Sequence, residues 1–209
     1  MLNEKISKRC ETLLASTEQK ISLERKAILD DIAQMICDEV KNNNDVELVY
    51  LCTHNSRRSH FAQVWGHVAS VLFGFDLKTY SGGTVATECH PNTIAALRNI
   101  GFRISSDNLA QENPLYKVYY NDKDYIACYS KANTDSTLPQ ADFIAIMTCS
   151  DSDDNCPFVP GAKKRFSTTY DDPKEFDGTD NALIQYETRS LQIAQEALYT
   201  FKKAASLRG

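Results

Sequence analysis

No stretch of this sequence approaches the length of apolar chain needed to cross a bilayer, and the first ten residues hold no run of the kind that drives secretion. Positive charge is not in excess either. The 23 Lys and Arg against 28 Asp and Glu leave a net charge of −5, which argues against broad contact with nucleic acid or anionic membrane. Repeats and low-complexity tracts are missing. Seven cysteines, an odd number at irregular spacing, do not make a disulfide framework and suit a reducing compartment, so the cytoplasm is the expected location. A hydrophobic fraction of 42% provides a core without staples, and 209 residues suit one domain with an extension.

Residues 1–44 read as a helical hairpin. Leu2, Ile6, Cys10, Leu13 and Leu14 recur at helical spacing, as do Ile21, Ala27, Ile28, Ile32, Met35, Ile36 and Val40, with a break expected at residues 16–19. Residues 45–209 form the second unit. It opens with an apolar strand over 46–51 and a helix from 58 to about 75, striped by Ala62, Trp65, Ala69, Leu72 and Phe73. A strand near 78–80, a helix over 91–100 stopped by Gly101, an inserted β-hairpin over 116–130, a buried strand over 143–148 and a C-terminal amphipathic helix follow. The alternation predicts an α/β fold, a parallel sheet flanked by helices.

Between the first strand and its helix lies Cys52-Thr53-His54-Asn55-Ser56-Arg57-Arg58-Ser59. The first N–H groups of a helix lack partners, and together they favour an anion. A thiol placed there ionises more readily than a free cysteine and becomes a nucleophile. Arg58 offers a planar fork for two oxygens of an oxyanion. Ser59 has a hydroxyl for the sulfur, and Asn55 has a side-chain amide to tie the loop. The plainer alternative makes Cys52 a small apolar residue at a strand end; the strand–loop–helix context with Asn55 and Ser59 favours chemistry.

A second constellation is Cys149-Ser150-Asp151-Ser152-Asp153-Asp154-Asn155-Cys156-Pro157, directly after a buried strand. Its cysteines lack the close pairing and matching partners of a zinc site. The acidic stretch between them is expected to be exposed and mobile, which suits thiol exchange, one sulfur attacking and the other resolving.

The first loop resembles that of the low-molecular-weight protein tyrosine phosphatases, Cys-x-Gly-Asn-x-Cys-Arg-Ser, and Ser81-Gly82-Gly83-Thr84 is similar to their Ser-Ala-Gly-Thr turn. His54 stands where Gly is usual, and Arg57 where a second Cys is frequent. The second constellation, with Lys163-Lys164 and Asp171-Asp172-Pro173, resembles the thioredoxin-coupled arsenate reductases built on that fold. The resemblance implies a four-stranded parallel sheet, with Cys52 as nucleophile, Arg58 and the loop amides of Thr53, His54, Asn55, Ser56 and Arg57 holding the oxyanion, and Asp172 protonating the leaving oxygen. It also implies a relay in which Cys149 attacks Cys52 and Cys156 resolves, leaving a disulfide for thioredoxin or a similar reductant. Some such reductases bind potassium through a Glu; Gln63 occupies that position, so neither metal nor cofactor is expected.

Two further readings stay open. One is a phosphatase that hydrolyses a phosphocysteine with water. The other is a non-catalytic oxyanion- or phosphopeptide-binding module. Cys10, Cys37 and Cys128 read as core, whereas Cys89 falls in a polar loop and is expected to be exposed. His60 and His67 read as solvent-facing or packing residues, and Tyr119, Tyr120, Tyr125 and Tyr129 as sheet packing.

Overall fold

A computed structural model of the chain describes residues 1–155 and 158–209. Cys156, the expected resolving thiol, lies outside the described residues.

Two helices open the fold, α1 (Glu4–Lys20) and α2 (Leu23–Lys41). Asn3 caps the first by accepting from the Ile6 N–H (2.9 Å), and Ser22 caps the second by accepting from Arg25 (3.2 Å). The break therefore falls at Ile21–Ser22, later than the sequence suggests. Ser16 and Thr17 donate their hydroxyls back to the Leu13 carbonyl (3.2 and 2.7 Å), a bond compatible with continued helix, so α1 runs through them.

The central sheet has the order β2-β1-β6-β7, all parallel. Its strands are β1 (Glu47–Cys52), β2 (Lys78–Gly83), β6 (Phe143–Met147) and β7 (Ala162–Ser167). Residue alternation divides the two central strands between two cores. Leu48, Tyr50, Ile144 and Ile146 face the larger one, beneath helices, while Val49, Leu51, Phe143, Ala145 and Met147 face a smaller one with Val159. Burial on both faces explains why β1 and β6 read as continuous apolar runs.

The larger core is roofed by α3 (Arg58–Leu72), α4 (Pro91–Ile100) and the long α6 (Ala182–Arg208). The N-terminal hairpin packs on α6 and shares this core through Ile6, Leu29, Ile32 and Ile36. Polar ties reinforce it: Arg25 donates to the Thr169 carbonyl (2.6 Å), and Lys163 pairs with Glu39 (2.7 Å). The expected hairpin at 116–130 is a three-stranded antiparallel sheet, because β3 (Arg103–Ser106) joins β4 (Tyr116–Tyr119) and β5 (Tyr125–Cys128). Among the described residues no helix is long and apolar enough to cross a membrane.

One expectation about a single residue is corrected. Cys89 is buried at 1% exposure, in the larger core just before α4. The segment after Cys149 forms a short helix, α5 (Ser150–Asn155), on which Ser150, Asp151 and Asp154 are exposed while Asp153 is held by Arg165 and by the Ser167 hydroxyl (2.6 Å).

Gly66 on α3 lies against Tyr50 of β1; an added Cβ would overlap the phenol oxygen and stand 2.8 Å from Cζ. Gly66→Ala is expected to cost about 1–3 kcal/mol through overpacking, read as a fall in the melting temperature.

Candidate active site

The loop after β1 is shaped by where its carbonyls go. The Cys52 carbonyl accepts from the Thr84 N–H (3.2 Å), that of Thr53 from the Val85 N–H (2.9 Å) and the Thr84 hydroxyl (3.0 Å). The His54 carbonyl accepts from the hydroxyls of Ser130 (2.9 Å) and Thr87 (3.0 Å), and that of Ser56 from the His90 N–H (3.0 Å) and the Thr93 hydroxyl (3.1 Å). In a trans peptide the next N–H points the opposite way. Turning these carbonyls outward therefore turns the N–H groups of Thr53, His54, Asn55 and Arg57 inward, a concavity suited to an anion. The Asn55 N–H already meets the Cys52 sulfur at 3.1 Å.

Asn55 is the hinge of this arrangement. Its φ of 44° lies in the left-handed region, which Asn tolerates better than most residues. Fully buried, it donates its side-chain amide to Ser59 Oγ (2.9 Å) and accepts at Oδ1 from the Lys131 N–H (2.9 Å). Ser59 Oγ in turn stands 3.1 Å from the Cys52 sulfur. The sequence-expected tie and hydroxyl are thus both in place.

Arg57 stands at the N-terminus of α3, whose first turn has no side-chain cap. Arg58, 8% exposed, donates to the Tyr170 carbonyl and to Asp172 Oδ2, both at 2.7 Å. Asp172 also caps the 3-10 turn Pro173–Phe176 by accepting from the Lys174 N–H (3.1 Å). Capping and ion pairing occur together, since each uses a different carboxylate oxygen. Arg57 reaches the same carboxylate more loosely (3.8 Å), lies 3.7 Å from Asp177 and donates to the Tyr186 hydroxyl (2.8 Å). That hydroxyl donates to Asp177 (2.8 Å) and stands 3.3 Å from His90 Nδ1. Burial and Arg57 together hold His90 below the ordinary histidine pKa. His54 projects outward, exposed, beside an open cleft of about 220 Å³ that Arg57, His90 and Lys174 also line.

Cys149 is fully buried at the end of β6, next to β1 in the sheet. The Thr53 hydroxyl stands 3.4 Å from its sulfur and 3.4 Å from the Ser152 hydroxyl, and the Ser152 N–H points at the same sulfur (3.4 Å). Cys52, Arg58, Asp172 and Cys149 therefore gather at the C-terminal edge of the sheet.

Sequence reasoning passed over the layer behind them: Tyr170, Asp177, Tyr186, His90 and Lys131. None carries a motif, and each becomes visible only as a partner of an arginine or of Asn55. His60, read from the sequence as a solvent-facing or packing residue, packs behind the loop. It is fully buried with Nδ1 3.2 Å from the Ser81 hydroxyl, and burial with the Lys131 charge lowers its pKa to about 3.

Gly83 closes the loop from β2. A Cβ there would meet the Asn55 nitrogen at 2.7 Å, the Thr53 oxygen at 2.8 Å and the Val85 oxygen at 2.9 Å, all backbone atoms. Gly83→Ala is expected to cost the loop about 1–3 kcal/mol, a roughly 5- to 150-fold loss of affinity for inorganic phosphate by titration calorimetry.

Comparison with known proteins places this geometry in context. The chain is 31% identical over 140 residues to an arsenate reductase of Halalkalibacterium halodurans, covering 66% of this chain and 81% of the relative. It is 30% identical over 128 residues to arsenate reductase 2 of Staphylococcus epidermidis, covering 60% and 77%. A crystal structure of the low molecular weight protein tyrosine phosphatase from T. tengcongensis superimposes with a TM-score of 0.51 at 17% identity, covering 76% of this chain and 99% of that one. No protein-family model matches the chain. By its likeness to the curated reductases the chain belongs to the arsenate reductase family, and it is carried on the low-molecular-weight phosphatase fold.

Proposed function

We propose that this chain reduces arsenate to arsenite with Cys52 as nucleophile and an internal dithiol as the source of two electrons. The observation that carries the reading is the placement of two sulfurs at the ends of adjacent parallel strands, Cys52 on β1 and Cys149 after β6, with the Thr53 hydroxyl beside the second. The relatives named arsenate reductase support the substrate.

On this reading the Cys52 thiolate attacks arsenate, the inward N–H groups and Arg58 hold its oxygens, and Asp172 gives a proton to the oxygen that leaves as water. Cys149 then attacks the Cys52 sulfur. A Cys52–Cys149 disulfide forms as the sulfur–arsenic bond breaks, its electron pair stays on arsenic, and arsenite departs. Cys156 attacks Cys149, restoring the Cys52 thiolate and leaving a Cys149–Cys156 disulfide for thioredoxin or a similar dithiol. Residues 45–209 carry this chemistry and 1–44 extend it, in a reducing cytoplasm.

Asp172 has a double part. Its carboxylate is an anion already seated on Arg58, with Oδ2 2.7 Å from the guanidinium. An arriving oxyanion competes for Arg58; when it wins, Asp172 is displaced from the guanidinium and left to face the leaving oxygen. Asp172→Asn is therefore expected to bind phosphate at least as tightly as the wild type while turnover falls about 100- to 10,000-fold, measured by calorimetry and steady-state kinetics. Weakened binding would contradict the competition.

A second reading, phosphate monoester hydrolysis through a phosphocysteine, draws on the same Cys52, Arg58 and Asp172 geometry, with Asp172 acting as acid and then as base. Three variants separate the two. Cys52→Ser is expected to abolish both activities. Cys149→Ser and Cys156→Ser are each expected to stop multiple-turnover arsenate reduction with thioredoxin while sparing aryl-phosphate hydrolysis. Reduction that survives both of these would remove the relay.

A further inference from the structure

Lys131 lies on the segment that leaves β5 and passes behind the Cys52 loop, and it is 5% exposed. Its main chain is tied to the two positions that shape the loop: the N–H donates to Asn55 Oδ1 (2.9 Å) and the carbonyl accepts from the Gly83 N–H (3.0 Å). The next residue, Ala132, bridges to Gly83 as an extension of the sheet, and the Asn133 N–H returns to the Gly83 carbonyl (2.7 Å).

The ammonium is held on its own terms. It donates to the Tyr129 carbonyl (3.2 Å) and sits 4.1 Å from the centroid of the Tyr129 ring. Among the described residues no carboxylate pairs with it at ion-pair distance. Burying an ammonium without a carboxylate is expensive, and burial pushes the Lys131 pKa below the ordinary lysine value. A methionine or leucine would fill such a space at less cost, so the charge calls for a use.

The titratable groups that feel this charge indicate where it acts. They are His60 on α3, Cys89 before α4, Cys128 at the end of β5 and Asp135 beyond it. His60 follows Ser59, whose hydroxyl meets the Cys52 sulfur. The Lys131 field therefore extends to the base of the nucleophile's helix, and its backbone grips the residue that orients Ser59.

We propose that the Lys131 ammonium is a positioning group for the Cys52 loop, a resident cation that keeps the Asn55–Ser59 scaffold in its anion-receiving form and adds positive potential behind the thiolate. Through Tyr129 the ammonium folds residues 129–131 into the turn that presents the Lys131 N–H to Asn55. Through space it favours negative charge on the far side of that amide. The inference rests on Cys52 being the nucleophile.

The test is the pH profile of Cys52 alkylation by iodoacetamide, followed on the Cys52 peptide by mass spectrometry, in the full chain. Lys131→Met keeps the volume and removes the charge. Its neutral-pH rate is expected to fall about tenfold, with the profile moved up by about one pH unit. In Lys131→Ala, added propylammonium is expected to restore much of the lost rate, which a purely structural role would not allow. A reactive wild type matched by Lys131→Met across the profile would overturn this inference alone; a wild-type Cys52 that stays unreactive until alkaline pH would sink the nucleophile reading and this inference with it. Should the Met variant fail to fold by circular dichroism, the Ala variant decides, and no response to propylammonium counts against the proposal.

Discussion

The Cys52 loop depends on the direction in which its own carbonyl groups point. Those of Cys52, Thr53, His54 and Ser56 are drawn outward by hydrogen bonds from residues 84, 85, 87, 90, 93 and 130. Planar peptides then leave the following N–H groups converging on the Cys52 side. The positive φ of Asn55 makes the turn possible, and the fully buried Asn55 amide holds it. The concavity itself is lined by backbone N–H groups. The backbone supplies it in advance, without reorganisation when an anion arrives.

Arg58 and Asp172 add the adjustable part. A guanidinium 2.7 Å from a carboxylate is satisfied in the free chain, so it stays ordered and buried instead of roaming in solvent. The substitution of Arg57 for the usual second cysteine extends this device. Arg57 is held by Tyr186 and placed between Asp172 and Asp177, so a single strip of the 172–177 turn faces two arginines. The Tyr186 hydroxyl joins Arg57, Asp177 and His90, which couples the turn, α6 and the start of α4 in one polar cluster.

The parts of the chain beyond the four-stranded sheet reach this site by different routes. The β3–β4–β5 sheet delivers residues 129–133 to the back of the loop, where Ser130 and Lys131 hold His54 and Asn55. The N-terminal hairpin acts at a distance. It covers α6 and β7, and Arg25 reaches the Thr169 carbonyl, one residue before the Tyr170 that Arg58 holds. The insert is thus part of the loop's scaffold, whereas the hairpin braces the strand that leads to Asp172.

Local chemistry was enough to read the strand–loop–helix with Cys52, the fork of Arg58, the tie of Asn55, the core cysteines 10, 37 and 128, and the alternating α/β pattern. Each is a property of a few consecutive residues: helix periodicity, an uncapped helix start, or an apolar run. Long-range partners were illegible for the same reason. Cys89 sits among polar neighbours in sequence, yet tertiary packing buries it in the larger core. The strand β7 carries Lys163, Lys164 and Arg165, and it shows as a strand only because β6 pairs with it. The acidic segment after Cys149 is anchored through Asp153 by Arg165, twelve residues away. Residue types alone thus determined which atoms are able to attack, clamp or donate. Three-dimensional packing decided which of them meet, because a hydrogen bond or an ion pair depends on a separation of a few ångströms that chain order does not encode.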